Sequence, residues 1–261
     1  MKLGICADPQ FGPAIADAGF SFLEIHVQNH LRTLNDDDAF HSELARIQRA
    51  PIPALVANCF VPGELKITGP GADMAELEAY AKTALARAQR AGIRTIVFGS
   101  GDARRIPEGY DRGQAWQQLV RYGKMIGPIA ATHDLMVVVE PLNTRECNVL
   151  TTVGEAGRYV IEVDHLHYRL LVDAYHWLRD HDSFDDIVQY GPLLRHVHIA
   201  TMASRLPPGF EPCDFTDFFR ALKLAGYDGP VSIEAKWENI ETQAEEAFAH
   251  LERIVQDAGF A

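Results

Sequence analysis

Eight short apolar runs, each followed by a longer stretch of helical period, leave this 261-residue chain few ways to fold. The runs at 2–7, 22–27, 54–61, 94–99, 135–140, 168–173, 196–200 and 230–234 read as strands. The segments 13–19, 36–50, 72–91, 114–133, 152–163, 184–194, 215–225 and 240–257 read as helices. Strict alternation of this kind calls for a parallel sheet with helices outside, and eight units at this length close it into an α/β fold, a (β/α)₈ TIM barrel. An open doubly wound sheet that binds a dinucleotide would carry a glycine-rich turn after its first strand. Residues 8–14, DPQFGPA, lack the G-x-G-x-x-G spacing. No linker or charge block divides the chain, so one domain is expected over 1–261.

With 24 basic and 36 acidic side chains, the formal charge is −12. Such a surface repels phosphate backbones and argues against nucleic acid as a partner. The four cysteines, Cys6, Cys59, Cys147 and Cys213, are scattered, with no zinc-type spacing and no need for disulfide staples at this size. They suit a reducing cytoplasm. The apolar run at the N-terminus is too short for a signal peptide, and no stretch approaches a bilayer-spanning length, so no membrane partner is expected. Homo-oligomerisation is left open.

In a barrel of this type, chemistry gathers at the C-terminal ends of the strands. Strand five ends at Glu140, strand six at Asp173, strand seven near His198 and strand eight at Glu234. Taken singly, each has an ordinary explanation: a solvated acid opening a loop, a helix cap, a core histidine. Four residues of metal-ligating type at four successive strand ends form a more specific pattern. Neighbouring strands lie about 4.8 Å apart, so the four side chains can converge on one ion. Three carboxylates and an imidazole suit one divalent metal ion, Mn²⁺ first and Mg²⁺ or Co²⁺ next, with about two positions of an octahedron left for substrate.

The same residues resemble the xylose-isomerase-like barrel superfamily, and within it the sugar isomerase/epimerase group. The likeness runs along nearly the whole chain and is sharpest from strand five onward. The segment from Glu140 to Glu146 (EPLNTRE) resembles the stretch of ketose 3-epimerases that carries a metal-binding, catalytic glutamate and then a substrate-contacting one. Asp173 and His176 (DAYH) resemble their aspartate ligand and a histidine near the substrate carbonyl. His196 and His198 (HVH) resemble a strand whose second histidine binds metal. Arg205 resembles a substrate-touching loop arginine, although the loop from His198 is one residue longer than the pattern. Glu234 (SIE) resembles the final metal-binding glutamate.

The resemblance implies an enzyme that moves a proton beside the carbonyl of a small sugar through a cis-enediolate. Glu140 and Glu234 would act as acid and base from opposite sides, with Glu146, His176 and Arg205 binding substrate. A metal-dependent dehydratase or lyase on a 3-keto sugar or glycoside starts with the same proton loss and is the alternative. A DNA-repair endonuclease would need a basic face, which the net charge opposes, and a non-catalytic sugar-binding barrel would not need both glutamates. Several further residues have open roles. The glycines and arginines of 99–105 either cradle an anion or form an ordinary turn with surface arginines. Glu24 and His26 share one face of strand two and either line the pocket or lie beneath it. Asn58, Cys59, Lys66, Lys236 and Trp237 lie near strand ends.

Overall fold

Eight parallel strands close on themselves. In the computed structural model, which describes residues 1–31 and 33–260, they are β1 (Leu3–Cys6), β2 (Phe22–His26), β3 (Ala54–Asn58), β4 (Thr95–Phe98), β5 (Met136–Val139), β6 (Tyr168–Asp173), β7 (Leu194–Ile199) and β8 (Val231–Ile233). Each pairs with its successor, and β8 returns to β1 through Leu3–Val231 and Ile5–Ile233. The (β/α)₈ barrel expected from the alternation is the observed fold. Arg32 and Ala261, counted in the single unit expected over 1–261, lie outside the described residues.

Helices form the outer layer: α1 (Gly12–Asp17), α2 (Asp37–Arg49), α3 (Met74–Ala91), α4 (Gly101–Arg104), α5 (Arg112–Thr132), α6 (Val153–Val163), α7 (Ala174–Arg179), α8 (Phe184–Tyr190), α9 (Thr216–Leu224) and α10 (Ile240–Asp257). The longer ones carry their own start signals. Asp36, Asp73, Asp111, Thr152 and Asn239 each accept a hydrogen bond from a backbone N–H in the first turn of the helix that follows. In α10 the buried residues are Ile240, Ala244, Ala247, Leu251 and Val255, spaced three or four apart so that one stripe faces the sheet.

Alternation along each strand sorts side chains between two compartments. Leu23, Ile25, Val197 and Ile199 point outward into the core between sheet and helices. Phe22, Val56, Val97, Val138 and Leu171 point inward and fill the lower barrel. Gly4 belongs to that inner layer: a Cβ there would run into the Phe22 ring, so the missing side chain on β1 makes room for the aromatic on β2. Two positions further along β2, β3, β5 and β6, the inward residues turn polar as Glu24, Asn58, Glu140 and Asp173, which places the chemistry at the barrel's C-terminal mouth.

The structure departs from the sequence reading at element ends. The helix expected over 184–194 stops at Tyr190. Pro192, which has no N–H to continue it, sits in a single 3₁₀ turn at Gly191–Leu193, and β7 begins at Leu194. β3 ends at Asn58 because Cys59 adopts a left-handed conformation (φ 54°). Glu140 and Glu234 each lie one residue past their strands, yet the sheet still holds them. The Glu140 N–H donates to the Phe98 carbonyl, and the Glu234 N–H donates to that of Ile199.

The Gly4–Phe22 fit predicts that Gly4→Ala destabilises the fold by about 1–3 kcal/mol, the usual cost of overpacking. In urea denaturation the Gly4→Ala/Phe22→Leu double variant should lose less than the sum of the two single losses. Additive losses would show that the contact is not strained by a methyl group.

Candidate active site

The polar layer starts with a buried carboxylate. Glu24, inward-facing on β2 and fully enclosed, accepts from two imidazoles: His196 Nε2 at 2.8 Å and His198 Nε2 at 2.8 Å. Of the two places open to the β2 pair, Glu24 lies beneath the pocket, whereas His26 lines it. Burial opposes charge on Glu24. The charges and hydrogen bonds of His198 and His196 outweigh it and hold this carboxyl well below the usual range.

Because Glu24 accepts a hydrogen bond from the Nε2–H of His198, the Nδ1 of that ring turns its lone pair into the pocket. Nδ1 lies 3.1 Å from Glu140 Oε1 and 3.6 Å from Glu234 Oε2. Asp173 completes the group. Its Oδ1 caps α7 by accepting from the Tyr175 N–H at 2.9 Å, which leaves Oδ2 buried and without a hydrogen-bond partner. Asp173 is thus both the helix cap and the pocket acid. One donor atom from each of Glu140, Asp173, His198 and Glu234 lies within 4.8 Å of the other three. The four strand-end residues singled out by sequence therefore meet at one point.

This donor set fits a divalent cation. A lone pair facing two carboxylates is unfavourable unless a proton or a metal lies between them. Donors around an ion with bonds of about 2.1 Å lie roughly 3–4.2 Å apart, close to the spacing here. Without a cation, protons fill the gap. Burial opposes charge on His198, and Glu24 and Glu234 overcome it and drive the imidazole far above its ordinary pKa. Burial pushes Asp173 up to about 7; the Arg205 charge lowers it and Glu140 raises it again. Burial also raises Glu234, against the opposing charge of His198. Glu140 remains low, because the hydrogen bond and charge of His198 outweigh its burial. Glu140, Asp173 and Glu234 gather beside one guanidinium, that of Arg205, and a divalent ion would offset their mutual repulsion.

The three predicted substrate-binding residues surround this cluster. His176, on α7, is buried and neutral: its Nδ1 accepts from the Asn143 backbone N–H at 3.1 Å and the Asn143 side-chain amide at 2.8 Å. A backbone N–H can only donate, so the proton of His176 sits on Nε2, 3.5 Å from Asp173 Oδ2 and without a hydrogen-bond partner. Burial lowers its pKa to about 4. The same Asn143 amide donates to Glu146 Oε1 at 2.9 Å. Arg205 comes from the loop after β7 with φ 58°; its guanidinium bonds Glu234 Oε2, lies 3.6 Å from Glu146 and rests 4.6 Å from the centre of the Tyr175 ring. The extra loop residue does not keep Arg205 from the site.

Glu140, Glu146, His176, Arg205 and Glu234 line a cavity of about 510 Å³, with His26, Asn58, Cys59, Ser100 and Lys236 among the other walls. Asn58 donates to Glu234 Oε1 at 3.0 Å, and burial raises the Cys59 thiol. A Cβ on Gly99 would meet Glu140 Oε2, so glycine is required where the β4 turn passes this carboxylate.

Sequence reasoning missed several supports. Arg104 is neither an anion ligand nor a surface residue. It is completely buried and donates to the carbonyls of Phe98, Glu140 and Leu150, tying the end of β4 to that of β5. Arg105 donates to the Glu146 carbonyl at 2.6 Å, so neither arginine is presented to the cavity. Lys66 is spent on the Asp102 carbonyl at 3.1 Å. The role of Asn143 had no signal beyond its place in the EPLN motif.

A model of the xylose isomerase-like TIM barrel family matches residues 13–254. Among curated proteins, the chain is 32% identical over 137 residues to a ketose 3-epimerase of Arthrobacter globiformis, covering 46% of this chain and 47% of the relative. It is 32% identical over 114 residues to a 3-dehydro-D-guloside 4-epimerase of Escherichia coli, covering 43% of each. These alignments therefore span a little under half of each relative's length. A D-psicose 3-epimerase crystallised in the presence of D-fructose superposes with a TM-score of 0.83 at 22% identity, covering 99% of this chain and all of that one, a likeness of fold. Matched along nearly its full length by that family model, the chain belongs to the xylose isomerase-like TIM barrels.

Proposed function

We propose that this chain is a divalent-metal-dependent sugar epimerase or isomerase acting on a ketose or a related keto sugar. The observation that carries the reading is the meeting of Glu140 and Glu234, which line the cavity, with the buried Asp173 and His198, donor atoms within 4.8 Å of one another. Glu140, Asp173, His198 and Glu234 would hold the ion. Mn²⁺ is our first choice and Mg²⁺ or Co²⁺ the next, since the donors are mostly hard oxygens. When bound, such an ion supplies Lewis acidity beside the substrate carbonyl.

The chain's own residues do the rest. Glu140 and Glu234 come from strands on different sides of the cavity and can address opposite faces of a carbon between them. One carboxylate takes the proton next to the carbonyl, and the other delivers a proton to the opposite face, inverting the centre. The neutral His176 ring offers its Nε2–H to a substrate oxygen. It stays a hydrogen-bond donor rather than a cation, because burial keeps its pKa near 4. Arg205 and Glu146, already 3.6 Å apart, are placed to bind hydroxyls. Elimination from a 3-keto glycoside begins with the same proton loss, but the two curated relatives described above are named as epimerases, which favours return of the proton. The four cysteines are free, and we assign the protein to a reducing cytoplasm.

With Mn²⁺ present, a panel of ketopentoses, ketohexoses and 3-keto hexosides in D₂O should yield at least one isomer that carries solvent deuterium at the inverted carbon. Glu140→Gln and Glu234→Gln should each reduce exchange by about 10²–10⁴-fold, because an amide cannot accept the proton. Near-wild-type exchange in either variant would remove that glutamate from the acid–base pair. A product lighter by water or an aglycone would point to elimination.

The ion and Glu24 are coupled through His198. In Glu24→Gln, the amide can accept from one imidazole but presents N–H to the other. Isothermal titration with Mn²⁺ should show affinity weakened by about 10–100-fold, the usual effect of removing the partner that orients a ligand histidine. Unchanged affinity would mean that His198 does not coordinate through Nδ1.

A further inference from the structure

We propose that the groove beside the catalytic cavity, between the loops after β1 and β8, is a subsite for a second, glycosidically linked sugar unit. This rests on the reading of the main cavity as a keto-sugar site, and it adds the class of substrate: a sugar carrying a neutral glycosyl substituent.

The groove encloses about 430 Å³. Phe11 and Trp237 supply two part-exposed aromatic rings that are packed against the core and so held rigid. Asp8, Glu238 and Asn239 make its polar edge. Two fixed aromatic surfaces beside carboxylates and an amide suit a sugar ring, whose C–H faces stack on the rings and whose hydroxyls take the polar groups. Asp8 is already paired with Arg46 at 2.7 Å, and Glu238 opposes a phosphate or other anionic substituent. The indole Nε1–H of Trp237 is shielded from solvent, so the ring offers the groove its carbon surface.

The groove adjoins the catalytic floor. Cys6, at its base, accepts from Asn58 Nδ2 at 3.5 Å, and that same amide donates to Glu234 Oε1 at 3.0 Å. Trp237 follows Glu234 by three residues. The paired strands β1 and β8 lie about 4.8 Å apart, close to the width of one sugar ring. A substituent on a sugar that is reacting over Glu234 would extend towards Trp237.

The test compares each simple substrate with its glycosylated form on the Mn²⁺-loaded protein: D-fructose with 6-O-glucosyl-fructose, and a methyl 3-keto-glucoside with a 3-keto disaccharide. The glycosylated member of at least one pair should have a kcat/KM about tenfold higher, mainly through KM, which matches the worth of one aromatic stack. Trp237→Ala and Phe11→Ala should remove most of that advantage, and Trp237→Phe should keep most of it. Calorimetry provides a reading that does not need turnover: a glucosyl-hexitol should bind about tenfold more tightly than the hexitol alone, and Trp237→Ala should equalise them. Equal affinities in the wild type, or an advantage untouched in folded Trp237→Ala and Phe11→Ala, would overturn the subsite. If no substrate reacts but the glucosyl-hexitol keeps its Trp237-dependent advantage, the proposed reaction fails and the subsite stands.

Discussion

The site hangs on one buried carboxylate shared by two histidines. Glu24 has no solvent to stabilise it, so its charge depends on the two Nε2–H donors at 2.8 Å. That dependence runs both ways. By accepting from both Nε2–H groups, Glu24 fixes the tautomer of both rings and aims His198 Nδ1 at Glu140 and Glu234. His196, one layer deeper, also meets Ser232 on β8 at 3.2 Å, which joins β2, β7 and β8 across the barrel axis. The clamp converts a strand-level pattern into a specific orientation of one nitrogen.

The surrounding elements extend this logic outward. Asn143 orients both His176 and Glu146. Asp173 divides its two oxygens between starting α7 and facing the pocket, so the helix that carries His176 is anchored by the same residue that borders the cation site. Arg104 holds the turns after β4 and β5 from inside the protein, next to Gly99, which leaves room for Glu140. Cys59, Ser100 and Arg205, all lining the cavity, adopt left-handed backbone conformations despite their side chains. Strain of that kind persists only where neighbouring contacts over-determine it.

Much of this was legible from residue patterns. The alternation of short apolar runs with helical segments specifies the barrel, because each element must bury a face and only one layered arrangement suits eight such pairs. The strand ends were legible for the same reason: a polar residue closing an apolar run must point into the mouth. Glu24 was ambiguous, since an acid inside an apolar strand can face either the pocket or a buried partner, and the partner lies 172 residues away. Arg104 was misread because a charged residue after a glycine turn usually faces water, and nothing local reveals three distant carbonyls. The four-residue α4 was invisible, as it is too short to express a helical period, and α7 follows β6 with no turn residue between them to mark its start.

The central claim is that the four converging side chains hold one divalent ion on which the chemistry at the barrel mouth depends. Crystals grown with Mn²⁺ and measured at a wavelength where manganese scatters anomalously test it directly. The account predicts a single strong peak about 2.0–2.4 Å from Glu140, Asp173, Glu234 and the Nδ1 of His198. An empty cluster at saturating Mn²⁺, or an ion bound elsewhere with these four side chains turned away from one another, would contradict it.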